Sequence, residues 1–423
     1  MLEKKCVLLL YSEGRQDTSM LAVVEELEKH KDTYVIAMSD RELYSFNRSK
    51  MGAYMYKLSS RYMNFVNRLH VFNTTISYKM YSKRTKKPIK AIKRPTTPFA
   101  EFMFSLTSKY RRIFNVLNRF SPDIVLCSTP KLLKDVIKAK YKGKLSNMSV
   151  AGLLTDYTLD RRFVNFKANY YFVQNINILE RLVALGIDKR KIKVVGTPIQ
   201  ESVKVKYDRE SVLSEFGISN GYVNVVLMAG RYGGSSLKNI FTNLLQIDLD
   251  MNILVMTGGN HGLSKYCTLL AKSKRMHDRV ILVESVDDIA KIYAIADILI
   301  SKPTASITYE AIYHKVKLIT YKGADRIEAQ NNHYLVTNQV ALVGGKSTEL
   351  LNAMSKYLCD EEYIESLPHI DENFANGDCA KELVKVLLYI AEKNFSKKLQ
   401  TLNSENVETI ANETLKLEES KEE

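Results

Sequence analysis

No stretch of this 423-residue chain approaches the roughly 20 consecutive apolar residues that crossing a bilayer requires, so any membrane contact is expected to be peripheral. The opening M-L-E-K-K-C-V-L-L-L-Y-S holds only a short apolar run. Tryptophan is absent and cysteine scarce: Cys6, Cys127, Cys267, Cys359 and Cys379 are scattered, odd in number and without metal-ligand spacing. That pattern points to a reducing compartment, the cytoplasm, and away from a zinc site. Acidic residues are nearly missing from one long segment. From Arg48 to Arg112, sixteen Lys and Arg stand against the single Glu101, an excess of +15 that equals the formal net charge of the whole chain. No helix-turn-helix, RNA-recognition or zinc-finger pattern accompanies this charge.

Hydrophobic residues make up 45% of the chain, enough for two cores of ordinary domain size. In the basic segment Tyr54, Met55, Tyr56, Tyr62, Phe65, Phe72, Phe102 and Phe104 are interleaved with the cations. Such a surface suits anionic lipid, where each cation is worth about 1 kcal/mol and apolar groups enter the headgroup boundary. Lys83, Arg84, Lys86, Lys87, Lys90, Lys93 and Arg94 are the expected membrane-facing charges, on a mobile loop at 83–95. The other readings are a solvated basic face, or a nucleic-acid backbone, which the missing motifs disfavour.

Short apolar runs bounded by turn residues predict buried strands at Val7–Tyr11, Asp123–Ser128, Val150–Leu154, Val223–Met228, Ile253–Met256, Val280–Val283 and Ile298–Ile300. Helices are expected over Thr18–His30, Asp208–Gly217 and Lys381–Glu392, which makes an α/β protein. The stretch Ala296–Leu335 carries the clearest chemistry. After its strand, Pro303, Thr304 and Ala305 form a loop, and the helix amides near Ser306 and Thr308 suit a phosphate group. Glu310, one turn in, can accept hydrogen bonds from a ribose. The loop Ala229–Ser236, with Gly230, Arg231 and Gly233, is a second candidate phosphate cradle. Both features also fit ordinary strand-to-helix turns.

The segment A-D-I-L-I-S-K-P-T-A-S-I-T-Y-E-A resembles A-D-x-x-I-S-K-P-G-G-x-T-x-S-E-A of the diacylglycerol glycosyltransferases, the family of the processive diacylglycerol glucosyltransferases and monogalactosyldiacylglycerol synthases. The peptidoglycan N-acetylglucosaminyltransferase is a more distant relative. Glu328, Asn331, Tyr334 and Leu335 continue the match, as do T-D-Y at 155–157 and the collinear run R-L-V-A-L-G-I-D-K-R-K-I-K-V-V-G-T-P-I ending at Ile199. Thr304 and Ala305 replace two glycines, Ile327 a glutamine, and Gln16, Asp160 and Phe163 two histidines and a tryptophan.

The resemblance implies a GT-B fold of two facing Rossmann-like domains. Residues 1–198 would form the acceptor and membrane domain and 199–375 the UDP-sugar domain, with a helix at 376–394 returning to the first domain and a flexible tail at 395–423. It implies hexose transfer from a UDP-sugar to a lipid acceptor such as diacylglycerol, with inversion, at the inner face of the cell membrane. No metal or other cofactor is implied, since helix amides can stabilise the leaving diphosphate. Gly230, Arg231, Gly233, Pro303, Thr304, Ser306, Thr308, Glu310, Glu328 and Asn331 would hold the donor, with Val286 and Ile289 on the uracil. Gln16 cannot act as a base at neutral pH, which leaves Asp160, Asp156 and Asp17 as candidates; Asp17 as a helix cap and Asp156 as a loop-ordering residue are the plainer readings. The altered residues also admit a catalytically weakened paralogue, a sensor or partner, and the architecture admits a UDP-sugar epimerase.

Overall fold

The computed structural model describes residues 4–12, 17–45, 112–143, 145, 147–228, 235–284, 286, 288–321, 325–366 and 377–419. Within them the chain builds two six-stranded sheets, paired in parallel throughout. The first holds β1 (Lys5–Tyr11), β2 (Thr33–Ser39), β3 (Ile124–Cys127), β4 (Ser149–Leu154), β5 (Tyr170–Val173) and β6 (Ile192–Val194), in the order β2-β1-β3-β4-β5-β6. The second holds β7 (Val223–Met228), β8 (Met251–Met256), β9 (Val280–Val283), β10 (Ile298–Ser301), β11 (Lys317–Thr320) and β12 (Ala341–Val343), in the order β12-β11-β10-β7-β8-β9. Helices cover both faces of such sheets, which is why β3, β4 and β10 are buried at every position and read as unbroken apolar runs.

Strand order decides where a ligand can enter. It reverses between β1 and β3 in the first sheet and between β7 and β10 in the second. At these points the connections leave in opposite directions and open a crevice beyond the carboxyl ends of the strands. The loop after β4 and the helices that follow β10 and β11 come together there through Tyr157, Thr308 and Asn331.

The last helix, Cys379–Glu419, returns to the first sheet. Its Leu383, Val384, Leu387, Ile390 and Ala391 pack with Met20, Val23, Val24 and Leu27 of the Asp17–Leu27 helix against Val7, Leu9 and Leu126. Asn394 donates to the Asp123 carbonyl at 2.9 Å and to Ser149 Oγ at 2.8 Å, and Lys398 to the Ser121 carbonyl at 2.6 Å. These bonds carry the helix past 394, and it runs on to Glu419 through the stretch expected as a tail. At the crossover between the sheets Gly196 adopts φ +77°, and the Thr197 hydroxyl donates to the Thr155 carbonyl at 3.2 Å. The linker is tied back by Glu25, which accepts from Gln200 Nε2 at 2.6 Å and from the Glu201 amide at 3.2 Å.

Candidate functional site

The T-D-Y loop after β4 lies against the Ala305–Tyr313 helix after β10 and the Arg326–Thr337 helix after β11. Tyr157, only 1% exposed, comes from the first half of the chain but sits within the apolar core of the second, beside Ala305, Tyr309 and Leu335. Its ring stacks on Tyr334 with centroids 5.4 Å apart and planes 10° from parallel. Its oxygen lies 2.9 Å from Thr308 Oγ1. The Thr308 hydroxyl already donates to the Thr304 carbonyl at 2.9 Å, so Tyr157 is the donor of this pair. Burial pushes the Tyr157 pKa upward, which keeps it a donor.

Asn331, 1% exposed, joins the same loop to the second half. Its Oδ1 accepts the Tyr157 amide at 3.1 Å, and its Nδ2 donates to Asp156 Oδ1 at 2.9 Å and to the Pro303 carbonyl at 3.3 Å. From the other side Asn175 Nδ2 donates to the Tyr157 carbonyl at 2.9 Å. Asp156, Pro303, Thr304, Ser306, Thr308 and Asn331 are therefore gathered at one seam between the two sheets.

Glu310 lies on the same helix, turned into the protein and 8% exposed. Tyr293 donates its hydroxyl to Glu310 Oε2 at 2.9 Å. Burial pushes the Glu310 carboxyl up to about 7, against the pull of that hydrogen bond. Tyr293 also stacks on His314, whose Nε2 lies 2.6 Å from the Val203 carbonyl and donates to it, linking the carboxylate's support to the interdomain linker. Burial lowers the His314 pKa, which favours the neutral ring.

Two of the three candidate bases are engaged. Asp160 caps the short turn Arg161–Phe163, and its carboxylate takes Arg162 through Oδ1–Nε at 2.9 Å and Oδ2–Nη2 at 2.7 Å. Asp156 is bound by Asn331, as described. Asp17 starts the Asp17–Leu27 helix, and its side chain lies outside the described residues, as do Gly230, Arg231 and Gly233 and the membrane-facing Lys83, Arg84, Lys86, Lys87, Lys90, Lys93 and Arg94. Glu328 is 3% exposed, on a helix capped by Asp325, and Val286 and Ile289 pack half-buried on the second core. Among the described residues no group of three or more His, Cys, Asp or Glu is placed to hold a metal, and no helix is long and apolar enough to cross a membrane.

Among the described residues, three hydroxyl oxygens following strands are buried without a protein hydrogen-bond partner: Ser128 after β3, Thr158 after β4 and Thr304 after β10. Tyr157 and Tyr334 stand inside the matched motifs, but Tyr293 carried no signal, since its partner Glu310 lies on a different element.

Two parallel six-stranded sheets meeting at their carboxyl ends, with polar side chains gathered in the seam, define a GT-B protein. The S. aureus MnaA–UDP co-structure superposes with TM-score 0.61 at 15% identity, covering 91% of this chain and 96% of that one. MurG of Acinetobacter baumannii gives 0.57 at 13% identity, covering 91% and 99%. More particularly, residues 157–388, over half of the chain, match the family model for UDP-N-acetylglucosamine 2-epimerase, so the chain belongs to that family. Residues 19–199 match the model for monogalactosyldiacylglycerol (MGDG) synthase, the group its motifs resemble. The processive diacylglycerol beta-glucosyltransferase of Bacillus pumilus is 24% identical over 63% of this chain and 68% of its own length. That of Bacillus subtilis is 22% identical over 61% and 66%, so the match spans about two thirds of these relatives.

Proposed function

We infer that this protein is a UDP-sugar-dependent hexosyltransferase that glycosylates a lipid hydroxyl, diacylglycerol being the acceptor class, with inversion at the anomeric carbon. The observation that supports this most is the convergence at the seam. The start of the Ala305–Tyr313 helix, Asn331 and the T-D-Y loop follow three strands of two sheets and meet at the carboxyl ends of those strands, where ligands of such sheets bind. First-turn amides at Ser306, with Thr304, would receive the diphosphate and stabilise it as it leaves. Glu310 would accept the ribose hydroxyls, and Asn331 the sugar hydroxyls. Removal of the acceptor proton falls to Asp156 or Asp160, each of which must first leave its present partner. The basic segment at 48–112 would hold the enzyme peripherally on the inner face of the membrane.

Purified protein given UDP-hexose and diacylglycerol is expected to form glycolipid, with Glu310→Ala inactive. Complete absence of UDP-sugar binding in calorimetry would overturn the reading. Two further outcomes would replace it. Binding without turnover would point to a weakened paralogue, which the occupied carboxylates and Ile327 favour. Conversion of the UDP-sugar to its epimer without need of lipid would point to an epimerase, which the match over residues 157–388 favours.

A further inference from the structure

We propose that Tyr157 is a latch that seals the sugar-donor crevice in the unliganded protein, and that the donor enters only when this side chain leaves the second half of the molecule. The proposal rests on the donor reading of the crevice given above.

Interfaces between domains of one chain are ordinarily polar and allow relative motion. This seam instead drives one aromatic side chain from the first half into the core of the second. The residue is held at every polar atom: its amide by Asn331 at 3.1 Å, its carbonyl by Asn175 at 2.9 Å and its hydroxyl by Thr308 at 2.9 Å. Thr308 is the residue whose amide returns to Thr304 at the start of the Ala305–Tyr313 helix, so the Tyr157 oxygen is bonded at the N-terminal end of that helix, the end that suits a diphosphate. The two donor-side groups of Asn331 are used up by the same loop, through Tyr157 and Asp156. With Nδ2 also donating to the Pro303 carbonyl at 3.3 Å, both N–H groups of Asn331 are engaged within the protein.

The closed seam is not fully satisfied, however. Among the described residues, Thr158 Oγ1, on the residue after Tyr157, and Thr304 Oγ1, on the residue whose carbonyl accepts the Thr308 hydroxyl, are buried without a protein partner. The phenol bonds Thr308, a group that a hydroxylated, anionic ligand would compete for. The latch is thus held by one stack and a few hydrogen bonds, and a nucleotide diphosphate competes for the same groups. Apparent affinity is then the intrinsic affinity scaled by the fraction of unlatched molecules.

The test pairs ligand-free hydrogen exchange with UDP titration for the full-length wild type, Tyr157→Phe and Tyr157→Leu. Phe keeps the ring and the stack but loses the hydroxyl bond; Leu also loses the stack, and melting curves show that each variant is folded. Exchange at 155–160 and at 326–335 is expected to rise together in both variants. UDP affinity is expected to rise about fivefold in Tyr157→Phe, the equivalent of one net hydrogen bond removed from the latched state. Unchanged exchange at both stretches, or weakened UDP binding in Tyr157→Phe, would overturn the latch. Faster exchange in the variants with no UDP binding by any form would leave the latch standing as an interdomain lock and remove the donor reading instead.

Discussion

The Tyr293 hydroxyl lies 2.9 Å from Glu310 Oε2 in a space closed to solvent, and it braces this carboxylate. A carboxyl held up to about 7 in the folded protein, against an ordinary value of 4.5, makes the native state bind the proton more tightly than the unfolded chain. The slope of stability with pH is therefore negative between those two values: the protein loses stability as pH rises from about 4.5 through 7, by an order of 3 kcal/mol. Urea melts of the wild type between pH 5 and 8 are expected to show this decline, and Glu310→Gln to flatten it. A decline of equal size in Glu310→Gln would assign it to other groups.

Removing the brace acts in the opposite sense to removing the charge. Tyr293→Phe deletes the hydrogen bond that favours the ionised carboxylate, so the Glu310 carboxyl is expected to rise further and the loss of stability with rising pH to grow and extend to higher pH. The cost at pH 8 is expected to be about 1–3 kcal/mol, and smaller at pH 5, measured by the same melts.

Gly196 is the position where the chain crosses between the halves, at φ +77°, and a Cβ there would stand 2.4 Å from Cys379 Sγ and 3.1 Å from the Tyr309 hydroxyl. Gly196→Ala combines left-handed strain with overpacking and is expected to cost about 2–4 kcal/mol. Because the nearer clash is with a sulfur, Cys379→Ala in the same chain is expected to recover part of that loss. A double variant no more stable than Gly196→Ala would show that the strain is in the backbone alone.

Truncation separates the two parts of the last helix. Ending the chain before Cys379 uncovers the face that Leu383, Val384, Leu387, Ile390 and Ala391 bury, each large residue contributing about 1.5–3 kcal/mol, a sum comparable with the whole stability of a domain. That form is expected not to fold. Ending it after residue 400 keeps Asn394 and Lys398 on the first sheet and is expected to lower the melting temperature by no more than a few degrees. Calorimetric melting of both forms checks the contrast.

Much of this architecture was written in the amino-acid sequence. β3, β4, β7 and β10 are readable because a strand covered by helices on both faces is apolar along most of its length, and that signal is local. The caps are local too: Asp208 accepts the Ser211 amide three residues on at 2.9 Å, and Asp160 meets Arg162 two residues on. The motifs also placed Thr308, Glu310 and Asn331 in one region of chemistry. Sequence alone did not place Tyr157 against Thr308, 151 residues away, or show that Glu310 accepts the Tyr293 hydroxyl. Such contacts depend on how strands are ordered and how two sheets meet, and no spacing along the chain encodes that. Tertiary structure therefore decided the state of the site, with its carboxylates engaged and its seam closed by a phenol. A side chain's hydrogen bonds and protonation follow from everything packed around it, whereas its place on a strand or helix follows from its immediate neighbours.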